Sequence, residues 1–147
     1  MGGPVAALRR PIDNKDGQYA GIVSETDLHR DLVASLLSHI AGSCVVTHVA
    51  GRSEFRDPYP IGRHEPDVIA EADGMLIVGE AKIGPDLDED RAVEQIADFS
   101  TAGGPNGEKA TFWLCVPEQW REVALDAIAA HGDPHYRTDV LGVMLPS

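Results

Sequence analysis

Residues 67–82 read DVIAEADGMLIVGEAK, and this stretch decides the fold that the sequence predicts. Two apolar runs flank Asp73-Gly74. An Asp-Gly pair between such runs is the strongest short signal for a β-hairpin, because a type I′ turn needs positive φ at both central residues. The second run is apolar on both faces, which is typical of a central strand covered on both sides. The turn would place Ala72 opposite Met75 and so set the register of the whole hairpin.

The predicted register brings three charged side chains together. Each step away from the turn keeps the sum of the paired residue numbers constant, so Asp67 is expected directly opposite Glu80. Directly opposed residues share a face of the sheet, and Lys82, two residues beyond Glu80, points to that face as well. Opposed carboxylates in a partly buried sheet repel each other, and a divalent cation such as Mg²⁺ or Mn²⁺ would remove that cost.

The cluster of Asp67, Glu80 and Lys82 has a functional and a structural interpretation. Carboxylates, a hard metal ion and a lysine amine are together the parts of a site for attack of water on a phosphodiester. The alternative is a solvated Glu80–Lys82 pair at an exposed strand end, with Asp67 as a turn residue after Pro66. The apolar run MLIV leading into Glu80, and the matching register of Asp67, favour the functional interpretation.

The elements around the hairpin are predicted in the order αβββαβαβ. A first helix begins at the N-cap Ser24 and ends near residue 41, and a strand over 44–50 follows it. After the hairpin come a polar stretch (GPDLDEDR), a helix over about 88–101, the strand TFWLCV, a helix opened by Pro117 and the strand DVLGVML. We therefore expect an arm over residues 1–23 and one α/β domain over residues 24–147, with a mixed sheet flanked by helices.

Composition limits the possible partners. The chain has 147 residues and a formal net charge of −12, from 24 acidic and 12 basic residues. Such a surface repels phosphate backbones, so any contact with nucleic acid must be local, metal-assisted or made with a partner protein. No apolar run approaches the roughly 20 residues of a membrane helix, and the start of the chain has no signal-peptide core. We expect a cytoplasmic protein that does not enter a membrane.

The hairpin motif resembles that of a known superfamily. Pro66-Asp67, followed by Glu80-Ala81-Lys82 after the turn, is similar to the motif of the PD-(D/E)xK nucleases, which include restriction endonucleases and Holliday-junction resolvases. The resemblance implies a restriction-endonuclease-like fold and covers most of the chain. It implies that Asp67, Glu80 and the backbone carbonyl of Ala81 bind Mg²⁺ or Mn²⁺. It also implies that Lys82 orients or activates the attacking water.

Two further positions match what such enzymes often carry. The first helix frequently begins with a glutamate near the metal, and Glu25 stands there as a candidate metal ligand. Its alternative role is that of a first-turn acid favoured by the helix dipole. The helix after the lysine carries a glutamine in several branches, and Gln95 occupies that place as a candidate catalytic residue rather than a plain surface glutamine.

Arginines and histidines provide further candidate site residues. Arg52, Arg56 and Arg63 fall in the loop before the hairpin and could grip phosphates near the metal, although solvated loop arginines are the ordinary alternative. No zinc site is assigned to the six histidines.

The sequence thus predicts a Mg²⁺-dependent nuclease, an endonuclease or exonuclease, with DNA as the expected substrate. A homodimer would supply a second active site for duplex cleavage, and a partner protein could supply targeting. The alternative is a catalytically silent module of the same fold that binds a partner protein through its acidic surface, which the net charge favours. An RNA-directed nuclease is a third interpretation, because the sequence does not separate DNA from RNA.

Overall fold

The computed structural model describes residues 25–72, 74–101 and 110–145. Three α-helices, five β-strands and two short 3₁₀ helices occur in these ranges. The helices are α1 (Glu25–Ile40), α2 (Asp90–Ser100) and α3 (Arg121–His131). The strands are β1 (Val45–Val49), β2 (Val68–Ala72), β3 (Met75–Ala81), β4 (Ala110–Pro117) and β5 (Arg137–Val143), and the 3₁₀ helices are Gly84–Asp88 and Glu118–Trp120.

The five strands form one mixed sheet in the order β1-β2-β3-β4-β5. β1, β2 and β3 are antiparallel neighbours, whereas β4 runs parallel to β3, and β5 parallel to β4. α2 lies in the connection from β3 to β4, and α3 in the connection from β4 to β5. Parallel neighbours need such crossovers, which in most proteins contain a helix. The predicted α/β class with a mixed sheet flanked by helices is confirmed.

The hairpin has the predicted register. Ala72 pairs with Met75, and the pairing continues to Val68 opposite Gly79. Gly74 has a φ of 79°, in the left-handed region that a type I′ turn requires. Asp73, the other central residue of the predicted turn, lies outside the described residues.

Helices cover both faces of the sheet. α1 packs on one face, where Leu32 and Leu36 are fully buried with Val68 and Cys115. A β-carbon on Gly79 would lie 2.7 Å from Leu36 Cδ2, so the glycine permits the close approach of α1 to β3. α2 and α3 pack on the opposite face, over a second buried cluster that includes Ile69, Val78, Ile96, Phe99, Phe112 and Ala124. The ends of β2 and β3 therefore lie between two apolar layers.

Two predicted features differ from the structure. The polar stretch after the hairpin is not a plain connection, because Gly84–Asp88 forms a 3₁₀ helix that buries Leu87. Pro117 ends β4 instead of opening the third helix, and α3 begins at Arg121 after a 3₁₀ turn. Proline is tolerated at a strand end, where a ladder hydrogen bond is no longer needed.

Some predictions lie outside the described residues. They are the N-cap role of Ser24 and the arm over residues 1–23, and both stay predictions. Among the helices of the described ranges, none combines the length and apolarity needed to cross a membrane.

Candidate metal and catalytic site

Asp67 lies just before β2, at the end of the hairpin that is remote from the turn. Its backbone N–H donates at 3.1 Å to O of Gly79, the residue that also pairs with Val68, so the regular pairing ends at Val68 and does not place Asp67 directly opposite Glu80 as predicted. Its side chain reaches across to β3, where the Ala81 N–H donates to Asp67 Oδ2 at 2.8 Å. The same oxygen lies 3.1 Å from His29 Nε2 on α1. Asp67 therefore connects the hairpin with the helix above it.

Glu80 is buried between the hairpin and α2. The whole residue is 5% exposed. Oε1 accepts a hydrogen bond from the Asp67 N–H at 3.1 Å, and Oε2 accepts one from Gln95 Nε2 at 3.2 Å. Burial and the adjacent Asp67 carboxylate raise the pKa of Glu80 well above its usual range, against the opposing effect of Lys82. The two carboxylates thus lie together in a setting that disfavours two negative charges.

Lys82 supplies the positive charge nearest to Glu80. It follows the last residue of β3, and its backbone N–H donates to Cys115 O of β4 at 2.9 Å. Lys82 Nζ lies 3.6 Å from Glu80 Oε2, and the lysine side chain is 13% exposed. The predicted trio of Asp67, Glu80 and Lys82 is therefore brought together in the structure. One ammonium lies against two carboxyl groups, so ionisation of both would leave the cluster with excess negative charge.

Gln95 faces this cluster from α2, as the sequence predicts. It is 2% exposed, and its amide nitrogen is the donor to Glu80. Its amide oxygen Oε1 is buried and has no hydrogen-bond partner among the described residues. A buried acceptor without a donor costs about 1–3 kcal/mol, so such groups are typical of places that a water or ligand completes.

His29 is a site residue that the sequence analysis missed. It lies one turn before Val33 on α1 and reaches Asp67. The hydrogen bond with Asp67 raises the pKa of His29, while burial opposes that shift. Zinc-ligand spacing, the criterion applied to the histidines, does not detect such a contact. The available signal was its position four residues before the buried Val33, on the stripe of α1 that faces the sheet.

A cleft of about 500 Å³ opens the site between α1 and the loop after β1. His29 and Asp67 lie in its wall together with Thr26, Arg30, Ala50 and Arg52. Glu25, the predicted additional ligand, is the first residue of α1, but its side chain lies outside the described part of the structure. Its role as a ligand stays a prediction.

The three candidate arginines occupy different places. Arg52 lines the cleft and pairs with Glu54 at 3.0 Å. Arg56 is exposed, and its backbone carbonyl accepts the Val49 N–H at 3.0 Å. Arg63 is bound to α2, where its Nε and Nη2 atoms each donate to Asp98 at 3.0 Å. Their contacts with nucleic acid stay predictions.

The donor set fits a hard divalent cation only with help from the backbone and solvent. In the described ranges, no group of three or more His, Cys, Asp or Glu side chains could hold a metal ion. Asp67 and Glu80 provide two carboxylates. The N–H and C=O of one strand residue point toward the same neighbouring strand. Because the Ala81 N–H points to Asp67, the Ala81 carbonyl also faces the side on which Asp67 lies. Mg²⁺ is commonly held by one or two carboxylates plus waters, which matches this set.

Comparison with known proteins adds no relative to this description. No family model matches the chain, and no curated protein or solved structure matches it. The resemblance to PD-(D/E)xK nucleases therefore rests on the motif and on the geometry of its residues.

Proposed function

We propose that the chain is a metal-dependent nuclease that hydrolyses phosphodiester bonds of nucleic acid, with a restriction-endonuclease-like fold. The single observation that carries this proposal is the convergence of Asp67, Glu80 and Lys82, with Lys82 Nζ 3.6 Å from Glu80 Oε2. Such a buried cluster is costly for stability, and costly groups of this kind are found mainly at functional sites. A metal-binding role explains why two carboxylates are kept side by side.

Each residue has a defined task in this proposal. Asp67, Glu80 and the Ala81 carbonyl would hold Mg²⁺ or Mn²⁺, and His29 fixes the orientation of Asp67 through its 3.1 Å contact. When bound, the ion would offset the charge that develops on the scissile phosphate. Lys82 holds and orients the attacking water through its ammonium group. Gln95 anchors Glu80 through its amide N–H and keeps a free acceptor, Oε1, for a water.

The hydrogen bonds around the carboxylates support a preorganised site. Asp67 and Glu80 each accept a backbone N–H, from Ala81 and Asp67 respectively, so neither side chain is free to turn away. Backbone donors of this kind hold a catalytic group in place without loss of side-chain entropy at the moment of reaction.

A nuclease assay with the purified full chain tests the proposal. Labelled single-stranded DNA, duplex DNA and RNA are incubated with Mg²⁺, with Mn²⁺ or with EDTA. We expect cleavage that depends on the metal and falls about 100-fold or more in Lys82→Ala and in Glu80→Gln. Glu122→Gln, the same substitution at an exposed site on α3, serves as the matched control and should retain the activity.

The results separate the proposal from contamination. Cleavage that persists unchanged in Lys82→Ala would point to another enzyme in the preparation. Failure of the wild-type chain to cut any of the three substrates with either metal would refute the nuclease function.

The acidic surface supports a second candidate. The net charge of −12 favours a catalytically silent module that binds a basic partner protein. Such a module has no need for a divalent ion at Asp67 and Glu80. Calorimetric titration with Mn²⁺ distinguishes the two functions. The nuclease requires Mn²⁺ binding that the substitution Asp67→Asn abolishes, whereas the silent module requires no Mn²⁺ binding.

A further inference from the structure

We propose that the substrate of this site is a single nucleic-acid strand, bound by the loop of residues 50–60 at the mouth of the cleft. This inference rests on the proposed nuclease function and names its substrate class. Residues 50–60 form the arginine–aromatic loop, so named because they carry Arg52, Phe55, Arg56 and Tyr59. Binding measured without cleavage separates failure of the inference from failure of the nuclease function.

The recessed position of the carboxylates is the first argument. The Asp67 side chain is 15% exposed and that of Glu80 is 6% exposed. The cleft that leads to Asp67 has about 500 Å³, a volume typical of sites that enclose one small molecule. A flexible single strand can turn one phosphate into such a cleft, whereas the stiff backbone of a duplex resists that bend.

The arginine–aromatic loop adjoins the site directly. The Ala50 N–H donates to Asp67 O at 2.9 Å, and Arg52 lies in the wall of the cleft two residues later. The second anchor is the Val49 N–H, which donates to the carbonyl of Arg56 at 3.0 Å. The loop is thus fixed to both β1 and Asp67, and its first residues, 50–52, lie in the cleft wall together with Asp67.

The side chains of this loop combine charge with aromatic surface. Tyr59 is 41% exposed, and its ring contacts His48 edge-on with centroids 5.3 Å apart. The Arg52 guanidinium lies 5.9 Å from the centroid of the Phe55 ring. Aromatic rings on which bases stack, next to cations that follow the backbone, are the usual means of binding a single strand without regard to sequence.

The charge of the whole chain selects against a duplex. A duplex carries one charge per roughly 1.7 Å of its axis, and a single strand is less densely charged. The protein has a net charge of −12, whereas within residues 50–60 two arginines balance Glu54 and Asp57. A neutral loop on an acidic protein tolerates the less densely charged ligand better, and it can neutralise only a few phosphates.

Fluorescence anisotropy of the full chain in EDTA tests the inference without cleavage. The probes are a labelled single-stranded DNA, the duplex of the same sequence and the RNA of the same sequence. We expect single strands to bind at least tenfold more tightly than the duplex. A plot of the logarithm of the affinity against the logarithm of the salt concentration should have a slope of about −1.4. Each of the two arginines contributes about −0.7 to this slope by neutralising one phosphate of a single strand. Comparison of the DNA and RNA strands identifies the sugar preference.

Variants assign the binding to the loop. Tyr59→Ala should weaken single-strand binding about tenfold, whereas Tyr59→Phe should retain it, because stacking needs the ring and not the hydroxyl. Arg52→Ala should weaken binding and reduce the salt slope by about 0.7. Arg137→Ala is the matched control, since Arg137 also pairs with a carboxylate two residues away but lies on β5, the opposite edge of the sheet from β1.

The possible outcomes are distinct. Duplex binding that equals or exceeds single-strand binding, absence of single-strand binding, or equal effects of Arg52→Ala and Arg137→Ala would each overturn the inference. Any of these results leaves a metal-dependent duplex cleavage activity possible. Single-strand binding that depends on Tyr59 and Arg52, without cleavage in Mg²⁺ or Mn²⁺, would support the binding inference and refute the nuclease function.

Discussion

The side chain of Glu80 accepts the backbone N–H of Asp67, and the side chain of Asp67 accepts the backbone N–H of Ala81, the residue after Glu80. The Asp67 N–H donates to Glu80 Oε1 at 3.1 Å, and the N–H of Ala81, the neighbour of Glu80, donates to Asp67 Oδ2 at 2.8 Å. The exchange holds two carboxylates side by side at the end of the hairpin. Repulsion would separate such groups if their side chains were free.

Glu80→Gln should stabilise the metal-free protein. The substitution keeps the shape of the side chain and removes a buried ionisable carboxyl beside Asp67, where burial and Asp67 disfavour ionisation and raise the pKa of Glu80. We expect the melting temperature in EDTA at pH 7 to rise by roughly 2–4 °C, which corresponds to about 1 kcal/mol for a chain of this size. Differential scanning calorimetry measures the change.

Glu122→Gln on the exposed face of α3 controls for the loss of one negative charge from an acidic protein. Its melting temperature should change by less than that of Glu80→Gln. A fall in the melting temperature of Glu80→Gln would mean that the Glu80 charge is well compensated without metal, and the buried carboxylates would then give no reason to expect a cation.

His29→Ala should weaken Mn²⁺ binding without unfolding the protein. His29 contacts Asp67 Oδ2 at 3.1 Å from a partly exposed position on α1. Loss of a group that orients a metal ligand typically costs about 10–100-fold in metal affinity. Isothermal titration calorimetry gives the affinity, and His39→Ala, an exposed position further along α1, provides the comparison. Equal affinities in both variants would remove His29 from the site.

Gly84→Ala should destabilise the fold. A β-carbon at Gly84 would lie 1.9 Å from Cε2 of the Trp120 ring, so either the ring or the 3₁₀ helix must move. Overpacking of this kind costs about 1–3 kcal/mol. Gly42→Ala is the matched control, because a β-carbon there meets no atom within 4 Å. Urea denaturation compares the two variants, and equal midpoints would show that the Trp120 ring has room to shift.

The Asp98→Asn variant should be less stable than the wild type only at pH values at which Asp98 is ionised. Hydrogen bonds from the Arg63 side chain lower the pKa of Asp98 below its ordinary 3.8. A carboxyl whose pKa is lower in the folded than in the unfolded protein stabilises the fold at pH values above its pKa in the unfolded protein. That contribution disappears as the pH falls through its pKa in the folded protein.

Thermal melts from pH 7 to pH 2 measure this dependence. The difference between wild type and Asp98→Asn should be largest above about pH 5 and should decrease below about pH 4. A difference that stays constant down to pH 2 would indicate that packing, and not the charge of Asp98, is responsible.

The hairpin and much of the candidate site could be predicted because they depend on local rules. A two-residue turn determines which residues face each other, so the pairing up to Val68 opposite Gly79, which brings Asp67 and Glu80 to the same end of the hairpin, follows from counting. Lys82 follows from the same count, and Gln95 was placed by resemblance to enzymes with a glutamine on the next helix.

The remaining features depend on tertiary packing. His29 reaches Asp67 only because α1 crosses above the end of β2, a relation between residues 38 positions apart in sequence. The 3₁₀ helix at Gly84–Asp88 forms in the polar stretch GPDLDEDR, which has four acidic residues, because burial of Leu87 outweighs the polar composition of the stretch. The pairing of Arg63 with Asp98 likewise joins a loop to a helix that have no local relation.

A crystal soaked in Mn²⁺ tests the proposed metal site most directly. We predict an anomalous difference peak between Asp67 and Glu80, about 2.2 Å from an oxygen of each carboxylate. A map without a peak at this position, with Glu80 still bonded only to Gln95 and the Asp67 N–H, would contradict the claim that these carboxylates form a metal site.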